Sequence, residues 1–338
     1  MKVTRIGIDL AKRVFQIHGV DRQEAVVLRR QLKRAQVLEY LGKLDACVIG
    51  MEACASAHYW ARELGKLGHT VKLMAPQFVK PYLKGQKNDA NDAQAICEAV
   101  GRPGMRFVAV KSAQQQDIQG LHRVRSELIK QRKAKANQIR GLLGEYGIVL
   151  SRRIGELRRG LPDILEDAEN GLSGAFRRLL HGLWQDLRGL DARVGELDLQ
   201  VKELARTHPD CRRLEGIPGV GPLSATALVG AVGDARQFKN GRQLAAWLGL
   251  VPRQHSSGGK PQLLGISKRG DCYVRTLLIH GARSVQRVCK NRGDERSRWL
   301  KELGSRRHGN IAAVALANKN ARIAWALLAR GEHYQPAS

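Results

Sequence analysis

Nine apolar residues between positions 176 and 204 recur at alternating steps of four and three: Phe176, Leu180, Leu183, Leu187, Leu190, Val194, Leu197, Val201 and Leu204. A stripe with that spacing runs along one side of a helix and needs a second helix to cover it. Residues 111–205 therefore read as an α-helical, coiled-coil middle region. Its first half, Leu121 to Tyr146, is more basic, and Gln131, Lys135 and Gln138 break the matching apolar pattern. An intrachain helical hairpin and an interchain dimer satisfy the seam equally well at this level.

Before the seam, residues 1–110 alternate differently. "VTRIGIDL", "RVFQIHGVD" and "EAVVLRRQ" read as three successive strands, followed by a helical stretch from Arg34 to Leu44. "ACVIGMEA" is a fourth strand, "SAHYWARELGKLG" a helix and "TVKLMAP" a fifth strand, after which a further helix opens near Asp89. Three strands and then helix–strand alternation is the order of an α/β ribonuclease-H-like fold. After the seam, residues 206–338 read as a mostly α-helical region, with a frayed tail beyond Arg330.

Charge narrows the function. The 338 residues carry 58 Lys+Arg against 31 Asp+Glu, a formal charge of +27. That excess points to a polyanionic partner, which means nucleic acid. Residues 121–160 hold eleven Lys/Arg against three Asp/Glu, and residues 267–330 hold fifteen against four. No apolar run approaches the ~20 residues that span a bilayer, and "MKVTRIGIDLAK" enters a strand pattern with no leader-like apolar core. The expectation is a cytoplasmic protein without a membrane partner. Its six cysteines lack C-x-x-C pairing and zinc-like histidine spacing, as reduced thiols would.

Against that positive charge, the acidic residues of "KNDANDAQ" stand out. Asp89 and Asp92 open a helix three residues apart and share one face. Either one serves the helix end, with Asn88 or Asp89 as cap, or a cation sits between them. The wider pattern favours the cation. In a five-stranded ribonuclease-H-like sheet the first strand is central and the fourth lies beside it, so Asp9 of "GIDLAK" and Glu52 of "GMEACAS" come to the end where that helix packs. Four carboxylates there are hard ligands suited to Mg²⁺ or Mn²⁺, and without metal they would repel one another.

Two further stretches carry chemistry. "IPGVGPLSATAL" has the form of a helix-hairpin-helix motif. Its glycines, Gly219 and Gly221, permit close backbone approach, and the next helix N-terminus can hold a DNA phosphate; a plain inter-helix turn is the other reading. "GLVPRQHSSGGKPQLLGISKRG" is a Gly/Ser-rich loop bracketed by Arg253, His255, Lys260, Lys268 and Arg269. It reads either as a flexible connection or as a nucleophilic serine among phosphate-binding cations.

Taken together, "GIDLAK", "GMEACAS", "KNDANDAQ", "IPGVGPLSATAL" and "GLVPRQHSSGGK" resemble the DEDD transposases of bacterial insertion sequences. The likeness is to the one-ten family and most of all its eleven-eleven subgroup, related to Piv-type DNA invertases. It covers roughly residues 3 to 330. The resemblance implies a RuvC-like DEDD catalytic domain, a coiled-coil region and a C-terminal transposase domain carrying the serine loop. It implies that Asp9, Glu52, Asp89 and Asp92 hold Mg²⁺. It also implies that Ser257, rather than the adjacent Ser256, attacks phosphorus to form a phosphoserine link to DNA, in a composite site drawing on another subunit. Further implied partners are double-stranded DNA at the element ends and target, a structured guide RNA encoded by the element, and other copies of the chain in a dimer or tetramer. Two alternatives stay open. One is a Holliday-junction-resolvase-like nuclease that uses metal-activated water; the other is a non-catalytic nucleic-acid-binding protein.

Overall fold

The computed structural model describes residues 2–84, 88–258 and 260–336. Residues 1, 85–87, 259 and 337–338 lie outside the described residues, and of these 1, 87 and 259 fall within the quoted stretches. The chain forms two compact units, one ending at Gln116 and one beginning at Asp117.

The first unit is built on a mixed sheet. Its strands are β1 (Arg5–Leu10), β2 (Val14–Val20), β3 (Val26–Lys33), β4 (Val48–Glu52), β5 (Thr70–Met74) and β6 (Phe107–Val108), in the order β3-β2-β1-β4-β5-β6. β1 to β3 form an antiparallel meander, β4 and β5 run parallel to β1, and β6 adds a short antiparallel edge. The two-residue period of a strand sorts the side chains. On β1, Ile6 and Ile8 enter an apolar layer with Phe15, Ile17, Ile49, Met51 and Leu73.

Helices α1 (Val37–Gly42) and α2 (Ala57–Lys66) cover that layer. α2 does so because Ala57, Trp60, Ala61 and Leu64 recur at helical spacing and are all buried. The opposite face takes the short α3 (Pro76–Val79) and α4 (Asp89–Val100), through Val79, Ala95, Ile96, Ala99 and Val100. β3, the edge strand, is dense in Arg and Lys, a pattern that discourages edge-to-edge pairing.

The second unit is helical apart from one small hairpin. α5 (Ala113–Gly144) and α7 (Gly174–Thr207) run antiparallel, with α6 (Ile154–Glu166) between them in the chain. Three ion pairs fix the direction of the long pair: Arg125–Asp198 at 2.6 Å, Arg132–Asp191 at 3.3 Å and Lys135–Asp186 at 3.0 Å. The seam thus has an intrachain partner. Only half of it is fully covered: Leu180, Leu187, Val194 and Val201 are buried, while Leu183, Leu190 and Leu197 stay half-buried. A single partner helix that carries Gln131, Lys135 and Gln138 opposite the seam cannot bury both apolar rows.

Beyond α7, helices α8 (Pro209–Glu215), α9 (Pro222–Val232), α10 (Gly241–Trp247), α11 (Cys272–Cys289), α12 (Glu295–Arg306) and α13 (Gly309–Arg330) enclose a large core. α9 is buried from Ser224 to Val232, as expected of a helix that is apolar all round. Strands β7 (Pro252–Gln254) and β8 (Leu263–Ile266) form a separate two-stranded hairpin. The tail expected to fray is engaged instead: the Tyr334 hydroxyl accepts from Arg296, whose guanidinium lies 5.3 Å from the Tyr334 ring centroid. Among the described residues no helix is long and apolar enough to cross a membrane.

Candidate active site

The carboxylate group is assembled by how closely α4 approaches β1. Arg5, Gly7 and Asp9 alternate along the β1 face beneath α4. A Cβ on Gly7 would lie 2.2 Å from the Ala93 carbonyl oxygen and 2.3 Å from the Cys97 nitrogen, so only glycine allows this docking. The Cys97 thiol donates to the Arg5 carbonyl at 3.7 Å one step back along the strand. One step forward is Asp9, and one helical turn before Ala93 is Asp89. The strand and the helix therefore bring Asp9, Asp89 and Asp92 to a common point, with one carboxylate oxygen from each within 4.8 Å of the others. That is close to the separation of ligands around one hard cation, whose bonds to oxygen are about 2.0–2.6 Å.

The capping alternative is answered in the same geometry. Asn88 is the cap: its side chain accepts from the Asn91 N–H at 2.8 Å and its carbonyl from the Asp92 N–H at 3.0 Å. The helix end does not require the carboxylate of either aspartate as its cap. Glu52, at the end of β4, is not one of the three grouped carboxylates. It does share a neighbourhood with Asp9. The Cys54 thiol is held above its ordinary pKa by burial first and then by the charges of Glu52 and Asp9.

The serine loop is a built hairpin rather than a loose connection. Pro252 pairs with Ile266 and Gln254 with Leu263. At its tip the two serines do different things. Ser256 Oγ accepts from the Gln262 N–H at 3.2 Å and from Gln254 Nε2 at 2.9 Å, tying the strands together. Ser257 joins through its backbone, its carbonyl accepting from the Lys260 N–H at 3.1 Å. Arg253, His255, Ser257, Lys260, Lys268 and Arg269 are all exposed, so the hairpin presents its cations and its hydroxyl to solvent.

Its base is clamped by a residue that the sequence reading passed over. Arg275 is buried in α11, and its Nη1 donates to the carbonyls of Leu248 and Arg269, each at 3.0 Å. Those carbonyls stand at the two feet of the hairpin. A guanidinium inside the apolar run "YVRTLLIHGA" was the available signal, because a buried charge needs such partners.

Gly219 has a structural explanation. A Cβ there would fall 2.8 Å from the Gly281 oxygen, so its backbone is pressed against α11. Gly221 is exposed and caps α9. A second overlooked residue, His122 on α5, fastens three helices. Its Nδ1 lies 2.9 Å from the Tyr273 hydroxyl on α11, and its Nε2 lies 3.0 Å from the Thr226 hydroxyl on α9. Thr226 spends its proton on the Pro222 carbonyl, so Nε2 donates and Nδ1 accepts, as a neutral imidazole can. Burial accordingly pushes the His122 pKa down to about 4.

With this geometry in view, the chain can be set beside known proteins. A family model described as "Transposase", of the DEDD type, matches residues 6–148, a span that contains the whole carboxylate group. A second, described as "Transposase IS116/IS110/IS902 family", matches residues 211–298, which contain the serine hairpin. The class these two units define is a transposase. The chain is 57% identical over 337 residues to the "Probable family 20 transposase" of Pseudomonas aeruginosa, covering 99% of this chain and 100% of that one. It is 48% identical over 330 residues to the transposase for insertion sequence element IS1111A of Coxiella burnetii, covering 98% and 91%. To the transposase for element IS1328 of Yersinia enterocolitica it is 40% identical over 329 residues, covering 97% and 98%. The chain belongs to the IS116/IS110/IS902 family of transposases, the family that its motifs resemble.

Proposed function

We propose that this transposase cuts and rejoins DNA through a phosphoserine intermediate, with Ser257 as nucleophile and Asp9, Asp89 and Asp92, joined by Glu52, as the holders of Mg²⁺ or Mn²⁺. The observation that carries the reading is the convergence of three carboxylates from β1 and α4 in a chain of charge +27. Such a cluster repels itself unless a cation neutralises it, and all its donors are hard oxygens. The sheet order, with its antiparallel meander and parallel β4 and β5, supports a ribonuclease-H-like, RuvC-like unit. When bound, the metal supplies charge neutralisation at the scissile phosphate and the leaving oxygen.

The chain's own groups do the rest. Ser257 Oγ forms a bond to phosphorus as the bond from phosphorus to the DNA 3′ or 5′ oxygen breaks. The serine proton leaves to solvent and the departing oxygen takes one up. A free DNA hydroxyl later reverses this exchange on a new strand, so phosphodiester energy is conserved and no nucleotide triphosphate is consumed. Ser256 is committed to the hairpin through two hydrogen bonds, which favours Ser257 for the attack. Arg253, His255, Lys260, Lys268 and Arg269 hold phosphates around it, and Gly221 offers its exposed helix end to the DNA backbone. The cationic helices of the second unit suit a structured RNA that delegates target choice to base pairing. The half-covered seam of α7 suits assembly with further copies of the chain.

Covalent trapping tests this. The protein is mixed with Mg²⁺, the element's non-coding RNA and end-labelled DNA, then denatured and resolved on a gel. A protein–DNA adduct that is lost in Ser257→Ala and Asp9→Asn but kept in Ser256→Ala is the expected result. Free cut DNA with no adduct, unchanged in Ser257→Ala, would replace the serine with metal-activated water.

A further inference from the structure

Next to the carboxylate group, the same face of the first unit carries a groove of a different chemistry. Strand pairing defines it. Asp9 on β1 lies opposite Gln16 on β2, and Gln16 lies opposite Gln31 on β3. One step along the strands, Gly7 lies opposite His18, which lies opposite Arg29. Directly opposed residues share a face of the sheet, so Gln16, His18, Gln31 and Arg29 stand on the face that α4 covers at Gly7. α4 lies across β1 and reaches over β2, but it does not fill the space above the outer strand β3. A cavity of about 280 Å³ remains, lined by Gln16, His18, Arg29 and Gln31 from the strands and by Asn91 and Gln94 from α4.

Three properties set this groove apart from a solvated sheet edge. Seven of its nine lining residues carry polar side chains, four of them amides, beside the apolar Ile17 and Ala90. Its charge runs in order, from the cation Arg29 on the outer strand, through the neutral Gln16 and Gln31, to the carboxylates on β1 and α4. His18 is only 5% exposed, and burial, with Arg29 beside it, lowers its pKa. It therefore enters the groove neutral, able to donate or accept a hydrogen bond without adding charge.

Arg29 sits two strands across from Gly7 and so one two-residue step along from Asp9, about 12 Å away at ~4.8 Å per strand and ~3.3 Å per residue. That distance is about three to four base steps at the ~3.4 Å rise of one DNA strand, and fewer where the strand is extended.

We infer that this groove is a subsite for the sugar–phosphate backbone of the DNA strand that carries the scissile phosphate. It holds that strand about one to four nucleotides to one side of the carboxylates. Arg29 takes a non-bridging phosphate oxygen, while Gln16, Gln31 and Gln94 donate to phosphate and sugar oxygens. Contacts of this kind set register and carry no base sequence. The inference rests on the reading of the carboxylates as the site of strand cutting. It adds to it the direction in which the strand leaves.

The test is a neutral-phosphate scan. Fluorescein-labelled duplexes with the element's end sequence, each carrying one methylphosphonate near the cut, are titrated with wild type, Arg29→Ala, Arg29→Lys and Gln31→Ala by anisotropy at several NaCl concentrations. In wild type, one methylphosphonate within about four nucleotides of the cut weakens binding roughly three- to tenfold. In Arg29→Ala that same methylphosphonate costs nothing further, and the log–log salt slope falls by about one. Arg29→Lys restores both, because Arg29 is exposed and its replacement leaves the core untouched.

An unchanged interference pattern and salt slope in Arg29→Ala would overturn the subsite and leave Arg29 as edge-strand protection. Asp9→Asn separates the two readings. Loss of cutting with the interference pattern intact upholds both. Cutting that survives Asp9→Asn would refute the metal reading, and with it the assignment of the groove to the scissile strand.

Discussion

Replacing Gly7 by alanine puts the docking of α4 to the proof. The new Cβ would stand 2.2 Å from the Ala93 oxygen and 2.3 Å from the Cys97 nitrogen, both main-chain atoms that no rotamer change can move. To restore an ordinary contact near 3.4 Å, α4 must retreat by about 1.2 Å at that point. Overpacking of this kind costs about 1–3 kcal/mol, a loss of several degrees in melting temperature.

The larger effect falls on the carboxylates. Asp89 and Asp92 ride on α4 and Asp9 does not, so the retreat widens a group whose metal bonds tolerate only about 0.2 Å. Displacing ligands through their supporting shell typically lowers metal affinity 10- to 100-fold. Mn²⁺ titration by calorimetry, with the Mn²⁺ dependence of DNA cutting beside it, reads the loss directly. Gly50→Ala is the milder companion: it meets the Val100 Cβ at 2.8 Å and its two methyls at 3.0 and 3.2 Å, so Val100→Ala should relieve it in part. Gly65→Ala, with open space around it, is the control. A Gly7→Ala protein that melts, binds Mn²⁺ and cuts like wild type would refute the claim that this glycine sets the site.

The buried imidazole predicts a pH dependence. His122 has a folded pKa of about 4 against an unfolded value near 6.5, so the unfolded chain takes up a proton that the folded chain does not. Its contribution, about 3 kcal/mol at neutral pH, is lost as pH falls from 6.5 toward 4, and urea denaturation of His122→Gln across that range should show a flatter profile. Arg275→Met strips both hairpin feet of their donor. Trypsin should then cut faster at Arg253, Lys268 and Arg269, while an unchanged digestion rate would remove the clamp. In the seam, Leu187→Ala removes a side chain with 0% exposure and should cost about 2–5 kcal/mol, whereas Leu199→Ala, at 66% exposure, should cost little by chemical denaturation.

Much of the fold was readable because its signals are local. The strands around "RIGIDL", "VFQIHGV" and "VIGME" and the helix "AHYWARELGK" stand where their periodicities put them. β6 was missed, since a two-residue edge strand has no period of its own. The serine hairpin was hidden for a different reason. Its strands are short, exposed and Gly/Ser-flanked, and its order comes from Ser256 and from the distant Arg275. His122 gave no signal at all, because its partners lie 104 and 151 residues away in the chain.

The candidate site divides along the same line. Sequence alone singled out the candidate residues: the carboxylates Asp9, Glu52, Asp89 and Asp92, the paired serines, and a seam that must be covered. Those are choices of residue type and short-range spacing, which one chain segment can express by itself. Tertiary structure decided which of them meet. Asn88 rather than an aspartate caps α4, and Gly7 lets that helix down onto β1, so Asp9, Asp89 and Asp92 form the group while Glu52 stands outside it. α5 rather than a second chain takes the buried row of the seam. Each outcome depends on a distance of closest approach between segments remote in sequence, and local spacing cannot express such a distance.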